Sequence, residues 1–181
     1  MPLAATLAGL ATFWLLLTFA DVESFRSAIF WMMGSLAGAG WTSVGLVALY
    51  TLPAAAGLIA FARAFNLIAL GEETAAFLGT RVERVKVVSY VVASLMVAAA
   101  VAVCGVIGFI GLIVPHAVRL AWGSDHQLLL PASLLGGGMF LLLADTAARS
   151  IAAPAELPVG VITALVGVPI FVLLLRRSHA P

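Results

Sequence analysis

Charge is what this chain has least of: Asp, Glu, Lys and Arg make up 9% of its 181 residues and nearly cancel, leaving a formal charge of +1. The basic residues are scattered and do not interleave with aromatics, which excludes a nucleic-acid partner. So little polar side chain also leaves too small a surface to cover a soluble globule. Cysteine occurs once, at Cys104, so there is no intrachain disulfide and no cysteine-rich metal site, and the thiol reads as a small apolar packing group. No second histidine or cysteine stands at ligand spacing from His116, so no metal site is expected. Catalytic motifs are missing as well: no GxxxxGK[ST] phosphate loop, no GxSxG, no HExxH and no paired carboxylates within a span. No catalytic residue and no cofactor are therefore expected, and any ATP has to be hydrolysed by a partner. The first residues, Met1-Pro2-Leu3, carry neither a basic region nor a cleavage site, so the first apolar stretch reads as a retained span.

What is present is hydrocarbon. Hydrophobic residues make up 64% of the chain and the mean hydropathy is +1.19, which predicts an all-α, polytopic membrane helix bundle forming a single domain over residues 1–181. Hydropathy divides the chain into Leu3–Ala20, Ser43–Ala62, Val87–Ile107, Phe109–Leu120, Leu128–Ala144 and Val159–Leu175. The fourth is short, about 12 residues and about 18 Å as a helix, so it either crosses obliquely or re-enters. Crossing gathers Arg63, Arg81, Arg84, Lys86, Arg119, Arg176 and Arg177 on one side and leaves Arg26 and Arg149 on the other. The positive-inside rule favours that arrangement: about six transmembrane helices with both termini cytoplasmic.

The breaks in these spans are informative. Gly105, Gly108 and Gly111 recur every third residue, which predicts one open helix face, and Pro115 predicts a helix break just before His116. A broken helix at membrane depth has to lie against protein or a water-filled cavity, as in transporter pathways. His116 reads as a ligand or proton carrier, or as a group capping the broken helix. Arg119 reads as a snorkelling anchor or a gating charge. Pro53 and Pro169 sit mid-span, as kinks or as functional breaks. Between the first two spans, Asp21–Trp41 carries Trp31, Met32, Met33 and Trp41, which suits a short amphipathic helix on the outer face. On the cytoplasmic side, residues 63–86 are too ordered for a linker. Asn66 is expected to cap a short apolar turn, Gly71 to break it, and Glu72 and Glu73 to start a second helix whose Ala75, Ala76 and Gly79 make a smooth face. Such a pair either docks into a groove on a soluble partner or rests on lipid headgroups.

Five ordered motifs carry a resemblance: LGEETAAFLG at Leu70–Gly79, GFIGLIVPHAVRL at Gly108–Leu120, DHQLLLP at Asp125–Pro131, LLLADTAAR at Leu141–Arg149 and ELPVGVITALVGVPIFVLLL at Glu156–Leu175. Together they resemble the permease subunits of bacterial ABC importers for iron-siderophores, haem and cobalamin. The resemblance runs from the first span to the C-terminus and covers only the C-terminal part of the ten-span family unit, from about its fifth span onward. It implies a homodimer of permeases in the inner membrane, with cytoplasmic ABC ATPase subunits below and a periplasmic substrate-binding protein above. It makes Leu70, Gly71, Glu72, Glu73, Ala75, Ala76 and Gly79 the coupling helices that seat in the ATPase, within a cytoplasmic loop at 63–86. It makes Arg149 a docking residue for an acidic side chain of the binding protein, where an i,i+4 pair with Asp145 is the plainer reading. Leu3–Ala20 and Val159–Leu175 are placed near the translocation path.

Three function classes follow from the residues: a permease part of an ATP-driven importer of a metal chelate; a secondary transporter or channel with a relay through His116, Asp145 and Glu156; and an intramembrane enzyme, for which no nucleophile and base are found. The relay residues are far apart in the expected topology. A non-functional truncated remnant of a permease is the further alternative. Selectivity among chelates is not expected in apolar pathway walls.

Overall fold

The computed structural model describes residues 14, 22–151 and 157–178. Among them the chain forms eight helices and no strand: α1 (Val22–Met32), α2 (Trp41–Ala60), α3 (Ala62–Ala69), α4 (Glu72–Phe77), α5 (Val82–Cys104), α6 (Ile110–Trp122), α7 (His126–Ile151) and α8 (Val159–Ser178). The expected span Leu3–Ala20, apart from Trp14, lies outside the described residues, as does Glu156. Three helices are long and apolar enough to cross a membrane, namely α2, α5 and α7; α6 and the stretch Val159–Val172 of α8 are apolar but shorter. Their uniform hydrophobicity suits helices whose outer surface meets lipid, and Leu49, Leu135 and Leu142 stand about 70% exposed.

The described helices pack in two groups. α2 pairs with α5; α6, α7 and α8 each touch the other two; and α7 touches α2 and α3 to join the groups. Buried side chains are few, and the one compact cluster sits between α6 and α7: Val114, Val118 and Leu129, with Ile110, Ala132 and Phe140 against it. Gly136 makes that contact possible, since a β-carbon there would stand 3.2 Å from Val114 Cγ1.

Two sequence expectations are corrected here. Gly105, Gly108 and Gly111 do not share a helix face: α5 stops at Cys104, Gly105 takes φ 70° as its cap, and Gly108 lies in the non-helical linker. Gly111 alone is helical, in the first turn of α6. Positive φ is open to glycine without a β-carbon penalty, so the break falls at Gly105, ahead of the proline. Pro115 accordingly lies inside α6 and does not end it. The fourth segment runs the length of the bundle and does not turn back. α6 starts beside α8, with Phe109 against Gly167, and it ends near Asp125, which meets α3 at the other end of the bundle. Its 13 residues rise about 20 Å, and the linker supplies the remaining length.

Candidate functional site

At one end of the bundle the α3–α4 pair stands between two spanning helices. α2 closes at Phe61, and α3 follows at once. Gly71, at φ 120°, turns the chain into α4, whose first turn carries Glu72 and Glu73 where the helix dipole favours them. α4 ends in a Schellman motif: Gly79 at φ 85°, its N–H on the Ala76 carbonyl and that of Thr80 on the Ala75 carbonyl, both at 2.9 Å. Gly79 is therefore a cap. Ala75 is fully buried while Ala76 is exposed, because neighbours in a helix point about 100° apart. The expected smooth face of Ala75, Ala76 and Gly79 is thus not formed. The projecting groups are apolar and large: Phe77 is 91% exposed, Leu70 71% and Leu78 62%. Lys86 on α5 reaches back to Glu72 at 2.6 Å and to Glu83 at 3.8 Å.

Asn66 does not cap a turn; the N-cap of α3 is Phe61. Its side chain instead reaches the α6–α7 turn. The amide Nδ2 donates to Asp125 Oδ1 at 2.6 Å, and Oδ1 accepts from the His126 backbone N–H at 2.9 Å and from His126 Nδ1 at 2.7 Å. A backbone N–H can only donate, which fixes the oxygen's side of the amide and puts the ring proton on Nδ1. Asp125 Oδ1 also accepts the Gln127 N–H at 2.9 Å, capping α7. That backbone bond first, and the Asn66 amide second, hold the Asp125 carboxyl below the usual carboxylate range. The Phe65 ring lies tilted on the His126 ring at 5.8 Å. Sequence reading found each motif but not the contact between them, since 59 residues separate Asn66 from Asp125.

At the opposite end three backbones meet. A β-carbon at Gly105 would collide with the Trp31 carbonyl oxygen, one at Gly34 would stand 2.6 Å from the Val106 oxygen, and one at Gly160 would collide with the Met33 oxygen. The Ser35 N–H donates to the Cys104 carbonyl at 2.9 Å. The next residue against α8, Phe109, is the only described non-glycine at positive φ, 67°, and a β-carbon on Gly167 would collide with it. Beside this junction lies a cavity of about 630 Å³ whose walls include Met33, Phe109, Ala164, Leu165 and Pro169. Almost everything facing it is apolar.

The remaining expected residues are dispersed. Arg149 pairs with Asp145, Nε to Oδ2 at 2.8 Å, four residues apart near the end of α7; the plainer i,i+4 reading is present. His116 is half-buried within α6, and Arg119 is exposed in its last turn. The structure does not bring His116 and Asp145 together as a relay: Asp145 sits on α7 near the glycine junction's end and is held by Arg149. Among the described residues no group of three His, Cys, Asp or Glu side chains could hold a metal.

Comparison with known proteins gives one consistent result. The model of the FecCD transport family matches residues 1–177. The chain is 48% identical over 171 residues to the cobalamin import system permease protein BtuC of Halobacterium salinarum, covering 94% of this chain and 45% of that protein. It is 44% identical over 159 residues to the hemin transport system permease protein HmuU of Yersinia pestis, covering 88% and 48%. A solved structure described as an inward-facing conformation of a metal-chelate type ABC transporter superposes with a TM-score of 0.82 at 36% identity, over 96% of this chain and 57% of that one. The chain spans about half the length of the curated relatives it matches.

Proposed function

We propose a role for this chain from one premise: it belongs to the FecCD transport family. It serves as the membrane-embedded permease part of an importer that carries a metal chelate, such as an iron-siderophore, a haem or a cobalamin, across the cytoplasmic membrane. ATP is hydrolysed on separate soluble subunits, and cargo is delivered by a binding protein at the outer face. A second permease copy completes the pathway.

The observation that carries this reading is the α3–α4 pair, a helical projection that ends in exposed Phe77 and Leu78. Apolar tips on a short helical hairpin fit a groove on a soluble protein. Arg63, Arg81, Arg84, Lys86 and Arg119 lie at the same end as this pair, which supports a cytoplasmic position for it. Seated there, Leu70, Gly71, Glu72, Glu73 and Ala76 border the ATPase, while Ala75 and Gly79 hold the shape of the projection. Half-exposed Arg149, at the other end, docks an acidic side chain of the binding protein. The apolar cavity along α8 fits a wall that offers a bulky chelate no specific contact, leaving selectivity to the binding protein.

The test is reconstitution of the intact transporter in proteoliposomes. Phe77→Asp leaves thermal stability unchanged, because the ring touches little of its own chain, and weakens association with the ATPase about tenfold or more. Undiminished association would overturn the reading.

A further inference from the structure

Two routes lead from the tip of α4 into the spanning helices. One is the ion pair of Glu72 with Lys86 on α5, whose side chains are 58% and 32% exposed. Such a pair is soft, since either side chain can swing into water at little cost. The other route runs from Asn66 on α3 to the head of α7, through contacts of 2.6, 2.9 and 2.7 Å that converge on one short side chain. The planar amide fixes the direction of its donor and its acceptor together, so this joint resists both sliding and tilting. Phe65, the preceding residue, adds a ring contact to the same His126. Asp125 is bonded onward to the Gln127 N–H, so a pull on Asn66 reaches the α7 backbone directly. Asn66 serves no local purpose in α3, where asparagine is a mediocre helix former and its amide bonds no neighbour in its own helix.

We propose that Asn66 is a positioning residue that locks α3 to the head of α7, so that a displacement of α3–α4 by a soluble partner is delivered to the packed α6–α7 pair instead of being lost at the α3–α7 boundary. The inference rests on the transport reading above and adds the route by which motion enters the bundle. α7 is the suitable receiver: it carries Leu129 of the buried cluster one turn from the clasp, and it runs on to the end where the glycine junction and the cavity lie.

The experiment uses the intact transporter in proteoliposomes and reads chelate taken up per ATP hydrolysed, with cobalamin and haem as the probes. Asn66→Asp sets two carboxylates against each other and removes the donor. Asn66→Asp combined with Asp125→Ser restores the set, because the one atom that faces both residue 66 and the Gln127 N–H becomes a hydroxyl, which can donate and accept at once. The hydroxyl now at position 125 donates its proton to the carboxylate now at position 66 and accepts the Gln127 N–H as a helix cap, while that carboxylate accepts both His126 protons. The single variant is expected to assemble and hydrolyse ATP while uptake per ATP falls about tenfold, and the double variant to return to within about twofold of wild type. An unchanged ratio in the single variant, or no rescue in the double, overturns the proposal. A merely structural role predicts loss of assembled complex with an unchanged ratio in what remains. If Asn66→Asp does not assemble, Asn66→Leu, which removes donor and acceptor without adding a charge, is compared with wild type in the same way. Amide exchange at Gln127–Leu129 gives a second readout: ATPase binding slows it in wild type, and loses that effect when the clasp is broken; slowing that persists in the variant counts against the lock. Failure of the parent reading looks different, because the wild-type transporter would then show no ATP-dependent uptake with any probe.

Discussion

At the α3–α4 end, neighbouring segments are joined by side chains that reach across a gap, from Asn66 to Asp125 and His126 and from Lys86 to Glu72. At the opposite end, α1, the α5–α6 linker and α8 are joined by having no side chains at all at Gly34, Gly105 and Gly160. The first kind of joint can be remade by another residue of the right chemistry, and it loosens or tightens with its surroundings. The second admits only glycine, and its rigidity comes from backbones in direct contact. The two ends are therefore held by opposite means, one adjustable and one fixed.

Substitutions at glycine separate the contributions at the junction. Gly105→Ala meets both a positive φ and the Trp31 carbonyl, and is expected to cost about 3 kcal/mol or more, read as a fall in the thermal midpoint in detergent. Gly160→Ala meets the Met33 carbonyl alone, from an ordinary helical backbone, and should cost about 1–3 kcal/mol. Gly79→Ala meets the positive φ alone, with open space around it, and should cost about 1 kcal/mol. Equal costs for Gly160→Ala and Gly79→Ala would mean that close backbone approach is not what holds the junction. The smallest effect belongs to Glu72→Gln, which removes the exposed ion pair. Its midpoint should merge with that of wild type in about 1 M salt, where screening acts within about 3 Å. A difference that survives such salt would make the Glu72–Lys86 pair a firm joint and remove its contrast with the Asn66 clasp.

Much of the fold was legible in the residues. The starts and ends of α2, α5 and α8 fall within about five residues of the hydropathy boundaries, because lipid leaves long apolar runs few alternatives to helix. Charge asymmetry favoured a fourth segment that does not turn back, and α6 runs from one end of the bundle to the other. What the sequence hid was of two kinds. Local rules misplaced the break at Pro115, where a positive-φ glycine had already supplied one at Gly105, and they gave Asn66 a capping role that Phe61 fills at the start of α3. Contacts between distant segments left no local trace: nothing about Gly34 or Gly160 announces that a β-carbon there would strike the backbone of another segment, and nothing about Asn66 points to Asp125. The α3–α4 segment was legible as ordered helix, but its exposed tip proved to be Phe77 and Leu78, since one helical step turns Ala75 inward and Ala76 outward.

The shortness of α6 leaves irregular backbone where the neighbouring segments are helix. The peptide groups of the Gly105–Phe109 linker lie outside a helical ladder. In apolar surroundings such groups need protein or water to bond them. The linker is therefore the stretch of this apolar chain at which water is expected to be drawn inward among the helices.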